Sequence, residues 1–295
     1  MEYLSVSQIA KKWNISERSV RNYCAKGRIK GAFLTGKTWN IPVNSLKPKR
    51  VNNSAGDNLL LNILREQKEM SLKGGIYHKT QIELTYNSNH IEGSKLSEDQ
   101  TRYIFETNTV GISNESISVD DVIETSNHFK CFDYILDNAN KPLTESLIKQ
   151  LHLILKSGTS DSRKSWFNVG EYKKVPNEVG GKDTTLPENV KTEMSILLKT
   201  YNDKEQKSFQ DIIDFHKKFE SIHPFQDGNG RVGRLIIFKE CLANNIVPFI
   251  IDDSLKFYYY RGLKEWENER GFLIDTCLTA QDRYKKILDY FKIDY

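Results

Sequence analysis

The chain has 295 residues, of which 38% are hydrophobic and 28% charged, a balance that excludes a disordered polymer and a membrane-embedded bundle. Its longest apolar stretches, such as Leu59–Leu61 and Ile246–Ile251, fall far short of the roughly 20 residues a membrane-spanning helix needs. The net charge of +4 is uneven: residues 1–50 hold 11 basic and two acidic residues, a local +9, while the remainder holds 32 basic and 37 acidic, a local −5. Such asymmetry predicts a basic module that meets a polyanion, joined to a mildly acidic body. The start, Met1-Glu2-Tyr3-Leu4-Ser5, lacks the basic and apolar regions of a signal peptide. Cys24, Cys131, Cys241 and Cys277 show neither C-x-x-C spacing nor a disulfide framework, so a reduced cytoplasmic protein with no membrane partner is expected.

In chain order, Ser5–Trp13 reads as a short helix opened by a Ser5…Gln8 capping box, with Ile9, Ala10 and Trp13 as its apolar residues. Asn14-Ile15-Ser16 reads as a turn, Ser16 caps a second helix through about Lys26, and Gly27 stops it. Ile29–Pro42 alternates weakly around Gly36, as a small hairpin does. Two short helices, a tight turn and a hairpin predict a helix-turn-helix with a wing over residues 1–50. Residues 51–58 lie in the polar run Lys47–Asn58 and read as a linker. From 59 to 295 the helical period dominates, with helices predicted at Asn58–Lys73, Lys79–His90, Glu98–Glu106, Asp120–Asn138, Thr144–Lys156, Val190–Asp203, Ser208–Ile222 and Gly230–Asn244. One or two more follow between Ser254 and Tyr290. Tyr172–Pro187, with Val175, Val179, Gly180-Gly181 and Pro187, reads instead as an exposed hairpin or loop. The aromatic run Phe257-Tyr258-Tyr259-Tyr260 reads as a helix packing its rings on the core in preference to a base-stacking platform. His78, His90, His128, His152 and His216 show no metal-ligand spacing.

Gly31–Thr38 satisfies the pattern G-x-x-x-x-G-K-S/T. That loop holds phosphates only between a buried strand and a helix. Here a helix-turn-helix pattern precedes it and Pro42 follows too closely for a helix, so Gly36-Lys37 reads as the turn of the wing.

The segment His223-Pro224-Phe225-Gln226-Asp227-Gly228-Asn229-Gly230-Arg231-Val232-Gly233-Arg234 sets one imidazole, one carboxylate and two guanidinium groups between two apolar-periodic helices. Gly228-Asn229-Gly230 takes positive φ cheaply, so successive N–H groups can converge on an anion, with a helix N-terminus aimed at the same point. Arg231 and Arg234 lie three apart on that helix and can grip phosphate. Asp227 stands where it can hold Mg²⁺ against phosphate oxygens, and His223 can take a proton from a hydroxyl at neutral pH. A phosphate-binding turn with a base beside it is the expectation.

This segment resembles the signature of the Fic family, H-x-F-x-D/E-G-N-G-R-x-x-R, and matches every defined position. Asp211–Ile222, Leu235–Pro248, Thr144–Leu155 and Gly170–Pro187 resemble the elements around it in Fic domains. The resemblance implies a mainly α fold: a Fic-type helical domain over 59–295 with a small β-hairpin flap. It further implies transfer of AMP from ATP, with Mg²⁺, onto a Ser, Thr or Tyr hydroxyl of a target protein. By similarity His223 is the base, Asp227 the metal ligand, Phe225 the core anchor of the loop and Gly228–Gly230 the phosphate cradle. Arg231 takes the transferring end of the triphosphate and Arg234 the γ-phosphate, with Val232 and Gly233 completing the nucleotide-binding run.

Ser88-Asn89-His90-Ile91-Glu92-Gly93 resembles the S/T-x-x-x-E-G/N inhibitory motif of Fic proteins, in the subclass whose inhibitory helix, here near 79–93, precedes the core. Glu92 is expected to pair with Arg234 and repel the triphosphate, with Ser88 one turn away to steady it. In related proteins a glutamate at this place also supports removal of AMP from the target. Gly170–Val190 stands where the family carries its flap, whose Lys174, Val175 and Val179 would dock a target segment; taken alone, Lys173 and Lys174 each read more readily as solvated charges. The winged helix-turn-helix resembles excisionase-like and MerR-like regulators, with Arg18, Arg21 and Asn22 as groove-facing candidates and Lys37 as a phosphate contact. DNA is its first expected partner and protein docking the second. Two other readings remain open: a transcriptional regulator using the Fic domain as a nucleotide sensor, and transfer of another nucleotide, phosphocholine or phosphate. Homodimer formation is a further candidate.

Overall fold

The computed structural model describes residues 3–13, 17–25, 29–36, 38–47, 58–111 and 116–295. The chain divides into two units, Met1–Asp57 and Asn58–Tyr295.

The first unit runs β1 (Tyr3–Leu4), α1 (Val6–Trp13), α2 (Glu17–Ala25), β2 (Phe33–Thr35) and β3 (Thr38–Pro42). The Ser5 N–H donates to Gln8 Oε1 (2.8 Å) and the Gln8 N–H donates back to Ser5 Oγ (3.3 Å), a capping box that starts α1. Ile9, Ala10, Trp13, Val20, Cys24, Ile29 and Ile41 close a small core of their own. β1 is an element that sequence reading missed. It pairs antiparallel with β3 in the register Tyr3↔Pro42 and Leu4↔Ile41, extending the β2–β3 hairpin to three strands. Two residues carry no readable period, so only the pairing reveals this strand. Ser16, Lys26 and Gly27, the expected cap and stop of α2, lie outside the described residues.

The second unit is helical: α3 (Leu59–Glu69), α4 (Ile76–Ile91), α5 (Glu98–Thr107), α6 (Val119–Asp137), α7 (Glu145–Lys156), α8 (Pro187–Asn202), α9 (Phe209–Ile222), α10 (Asn229–Ala243), α11 (Asp253–Lys264) and α12 (Gly271–Tyr290). A hairpin, β4 (Glu178–Val179) and β5 (Lys182–Asp183), stands between α7 and α8. Its turn is Gly180-Gly181, both at positive φ (57° and 73°), which a two-residue hairpin turn requires. Helix starts follow side-chain caps: Asn58 accepts from Leu61 N–H, Thr144 from Leu147 N–H, and Ser97 and Ser208 close capping boxes with Gln100 and Asp211. α8 begins at Pro187 and not at Val190, because proline fits the first helical turn, where its missing N–H is no loss. α4 begins at Ile76, ahead of Lys79, because Ile76 and Tyr77 are already buried.

α10 is the centre of this unit. It is buried along almost its whole length and packs on α4, α6, α7 and α9. Its apolar residues Val232, Leu235, Ile236, Ile237, Phe238, Cys241 and Leu242 lie on every side of the helix, as a core helix requires. The polar residues it carries are paired inside: Lys239 Nζ donates to Glu240 Oε1 (2.7 Å) and Lys141 O (2.8 Å), and Tyr201 donates to Glu240 Oε2 (2.8 Å). Phe132 and Tyr284 set their rings against Phe238 at 5.3 and 5.9 Å between centroids. No helix among the described residues is long and apolar enough to cross a membrane. Phe132→Ala is expected to lower stability in urea unfolding by about 3–5 kcal/mol through its cavity. Phe257→Ala, at a position 70% exposed, should stay within about 0.5 kcal/mol.

Candidate functional site

The turn between α9 and α10 starts at His223, which caps α9 in the left-handed region (φ 52°) with its N–H donating to Phe219 O at 2.9 Å. A non-glycine residue held there stores strain of about 1 kcal/mol or more, and such strain concentrates at functional sites. Two side chains hold the turn in shape. Asn229 donates from Nδ2 to Phe225 O and accepts at Oδ1 from Phe225 N–H, both at 2.8 Å. His152 stacks on the buried Phe225 ring, centroids 4.0 Å apart and planes 7° from parallel. Its Nδ1 accepts from Gly170 N–H (2.9 Å), so Nε2 carries the proton and meets Asp227 O (3.2 Å). Gly228 (φ 80°) opens α10 with no side-chain cap, which leaves the first N–H groups of that helix available to an anion.

Both arginines are buried and both are engaged by carboxylates. Arg231 pairs with Glu124 and, through Nη2, with Asp227 Oδ2 at 3.2 Å. Lys156, 2% exposed at its side chain, pairs with Glu124 as well, with Asp227 Oδ2 (2.7 Å) and with Asp161 (3.1 Å). Glu124, Lys156, Asp227 and Arg231 thus form a closed ring of alternating charge. Burial opposes ionisation of Asp227, but Arg231 and Lys156 outweigh it and hold the carboxyl well below the usual range. Arg234 forms the second cluster: Nε donates to Ser88 Oγ (3.0 Å), and Nη2 to Ser88 O (2.8 Å) and Glu92 Oε1 (2.7 Å). Burial alone would weaken the Arg234 charge, and Glu92 more than restores it. A methyl group on Gly230 would overlap Glu92 Oε1, so the Glu92 carboxylate lies directly on the first turn of α10.

The His223 imidazole is partly buried, and its Nδ1 has no partner among the described residues. Burial, then the charge of Lys173, lowers its pKa to about 4, so it is neutral and able to accept a proton at physiological pH. Not every residue of the motif faces the turn. Val232 is in the core, and a side chain on Gly233 would meet Glu220 and His216 of α9. His216 packs: its Nε2 meets Tyr259 of the buried face of α11 at 2.6 Å. The aromatic run divides, because Tyr259 is buried while Phe257, Tyr258 and Tyr260 are exposed.

Val175 and Val179 are exposed along the hairpin, and Lys174 is exposed beside them. Lys173 is the correction: it is a buried side chain and not a solvated charge. In the first unit Arg21 is exposed on α2 and pairs with Glu17 (2.8 Å). Lys37, and the side chains of Arg18 and Asn22, lie outside what the structure describes. Sequence reasoning missed Glu124, His152 and Lys156 as members of the site. Only the folded chain brings them there, from 107, 75 and 71 positions away from their partners Arg231, Asp227 and Asp227.

An uncapped helix N-terminus, two buried guanidinium groups and a neutral imidazole thus come together at one strained turn. The chain matches the Fic/DOC family over residues 142–240. It is 28% identical over 191 residues to the protein adenylyltransferase Fic of Drosophila mojavensis, an alignment covering 61% of this chain and 35% of that protein. The Aedes aegypti adenylyltransferase Fic is 28% identical over 187 residues. The chain spans about a third of the length of these relatives. Among solved structures, a Fic domain-containing signalling protein from Bacteroides thetaiotaomicron superposes with a TM-score of 0.58 at 26% identity, covering 80% of this chain and 91% of that one. Fic-1 from C. elegans shares the fold at 18% identity, with a TM-score of 0.60 over 78% of this chain and 71% of its own.

His128, His152 and His216 are held neutral by burial, each with a pKa near 3, and His223 near 4. In the window from about pH 6.5 down to those values the unfolded chain binds more protons than the folded one. The stability these groups contribute is therefore fully present above about pH 6.5 and lost as pH falls toward 4. Thermal melts should show Tm dropping by several degrees between about pH 7 and about pH 4.5; a flat Tm would contradict these assignments.

Proposed function

We propose that the chain is a protein adenylyltransferase that moves AMP from ATP to a Ser, Thr or Tyr hydroxyl of a target protein. The observation that carries this reading is the joint placement of the neutral His223, the open N-terminus of α10 and the Arg231 and Arg234 guanidinium groups. The likeness to named adenylyltransferases supports it. In the reaction, the target hydroxyl oxygen attacks the α-phosphorus and its proton passes to His223. The bond from the α-phosphorus to the bridging oxygen breaks, and pyrophosphate leaves. The N–H groups of α10 and Arg231 face the charge that builds on the transferring phosphoryl group, and Arg234 holds the γ-phosphate.

Asp227 fits Mg²⁺: it is an ionised oxygen donor whose side chain is 49% exposed despite its ties to Lys156 and Arg231. A single carboxylate with water and substrate phosphates is the usual protein share of a Mg²⁺ shell. Bound there, the ion would neutralise phosphate charge. The neutral base favours catalysis over a pure nucleotide sensor, because sensing needs the arginines and the turn but no proton acceptor.

Glu92 is the proposed brake. Its carboxylate occupies Arg234 and the first turn of α10, where the γ-phosphate would otherwise bind. Reversal of the transfer, with removal of AMP from the target, is proposed as a second activity of the same residue. The exposed edge of β4 and β5, with Lys174, Val175 and Val179, is the proposed dock for the target segment. The basic first unit is proposed to bind DNA through α2 and the β2–β3 hairpin.

With α-labelled ATP and Mg²⁺, Glu92→Gly should raise labelling of the chain itself and of lysate proteins by on the order of tenfold or more, equivalent to about 1.4 kcal/mol. Adding His223→Ala should then remove about 10²–10⁴ of that rate. An unchanged label in Glu92→Gly would sink the brake, and label that survives His223→Ala would sink the base. For the first unit, Arg21→Ala should weaken a low-salt gel shift with genomic DNA; no shift with the intact chain would reject DNA as its partner.

A further inference from the structure

Lys173 lies at the foot of the flap and is only 4% exposed. Its backbone N–H donates to Pro224 O at 2.9 Å. Its Nζ donates to Asn177 Oδ1 (2.7 Å), Thr184 Oγ1 (2.6 Å) and Ile222 O (3.5 Å). Asn177 directly precedes β4 and Thr184 directly follows β5, so one ammonium group closes the open end of the hairpin. Ile222 and Pro224 are the two neighbours of His223. The same residue therefore ties the flap to the turn at the position of the base.

These partners are all neutral, and no ion pair to Lys173 exists among the described residues. A buried ammonium without a counter-ion is costly, and burial pushes its pKa down to about 8. An apolar side chain would pack a hairpin base without that cost, so the hairpin alone does not account for a lysine here. The charged groups that face the His223 imidazole are Lys173 from the flap, Glu92 from the end of α4 and Asp227 from the turn. Lys173 is the cation among them, and it opposes a second positive charge on His223.

We propose that Lys173 is a positioning residue of the transfer site, fastening the flap to the turn that carries His223 and keeping that imidazole uncharged until it takes the proton of the target hydroxyl. The inference rests on the adenylyl-transfer reading for its purpose, but its physical content is independent of activity. Target docking and the charge state of the base then depend on one side chain, and a misplaced flap also means a base that is partly protonated at mildly acidic pH.

The test uses the full chain with Glu92→Gly as parent, and adds Lys173→Gln, Lys173→Met and Lys173→Arg. Gln keeps hydrogen-bond donors without charge, Met removes both, and Arg keeps both. NMR titration of the His223 ring reads the proposal without any transfer. Lys173→Gln should move the His223 midpoint up by about one pH unit or more, toward the ordinary 6.5, and Lys173→Arg should leave it near the parent value. In transfer assays the acid limb of the pH profile should rise with it in Lys173→Gln. Lys173→Met should raise KM for the target while ATP binding stays within about twofold of the parent. A His223 midpoint unmoved by Lys173→Gln overturns the proposal, as does a target KM unmoved by Lys173→Met. If the parent itself transfers nothing, the adenylyl-transfer reading falls, and the ring titration still decides what Lys173 does.

Discussion

Two buried arginines on one buried helix set the terms for the rest of the second unit. A guanidinium inside a protein must be met by charge or by strong acceptors, because leaving it unpaired costs several kcal/mol. Arg231 is met by Glu124 and Asp227, and Arg234 by Ser88 and Glu92. These partners come from three separate parts of the chain: Glu124 from α6, Asp227 from the turn before α10, and Ser88 and Glu92 from the end of α4. The packing of α4 and α6 on α10 is therefore an electrostatic requirement as much as an apolar one. Under the proposed function, a phosphate that enters would find cations already held in place and would have only to replace a carboxylate.

The two clusters differ in how replaceable that carboxylate is. Glu124 is locked between Lys156 and Arg231 inside the core, so it belongs to the permanent scaffold. Glu92 is the terminal cap of a helix, is followed by a glycine at positive φ, and is partly exposed. Moving it demands only a local change at the end of α4. A permanent ion ring beside a removable one is the physical basis of the proposed brake. Around it, groups outside the two ion clusters do the fine placement: Asn229 on the Phe225 backbone, His152 between the flap and Asp227, and Lys173 between the flap and the Ile222 carbonyl beside His223.

The helices were legible because their apolar period and their caps agree. Ser97, Thr144 and Ser208 each stand where the pattern begins, and each makes a capping bond. The motif His223–Arg234 was also legible, since local composition and spacing carry it, while the pairing of Glu92 with Arg234 was expected only through the resemblance of Ser88–Gly93 to an inhibitory motif. Lys156, Glu124 and His152 were not. Each is an ordinary polar residue on an amphipathic helix, and its meaning arises only from a partner 71 to 107 positions away. Lys173 misled for a related reason: a lysine in a polar loop is normally solvated, and only the fold of the hairpin over Pro224 encloses it. β1 is too short to hold any period at all.

The central claim is that Glu92 and the γ-phosphate compete for Arg234. Calorimetric titration of the intact chain and of Glu92→Ala with ATP and with ADP tests it most directly, since the two ligands differ by that one phosphate. Competition predicts that ATP affinity rises by roughly tenfold in Glu92→Ala while ADP affinity stays nearly constant. Equal gains for both nucleotides, or none for either, would contradict it.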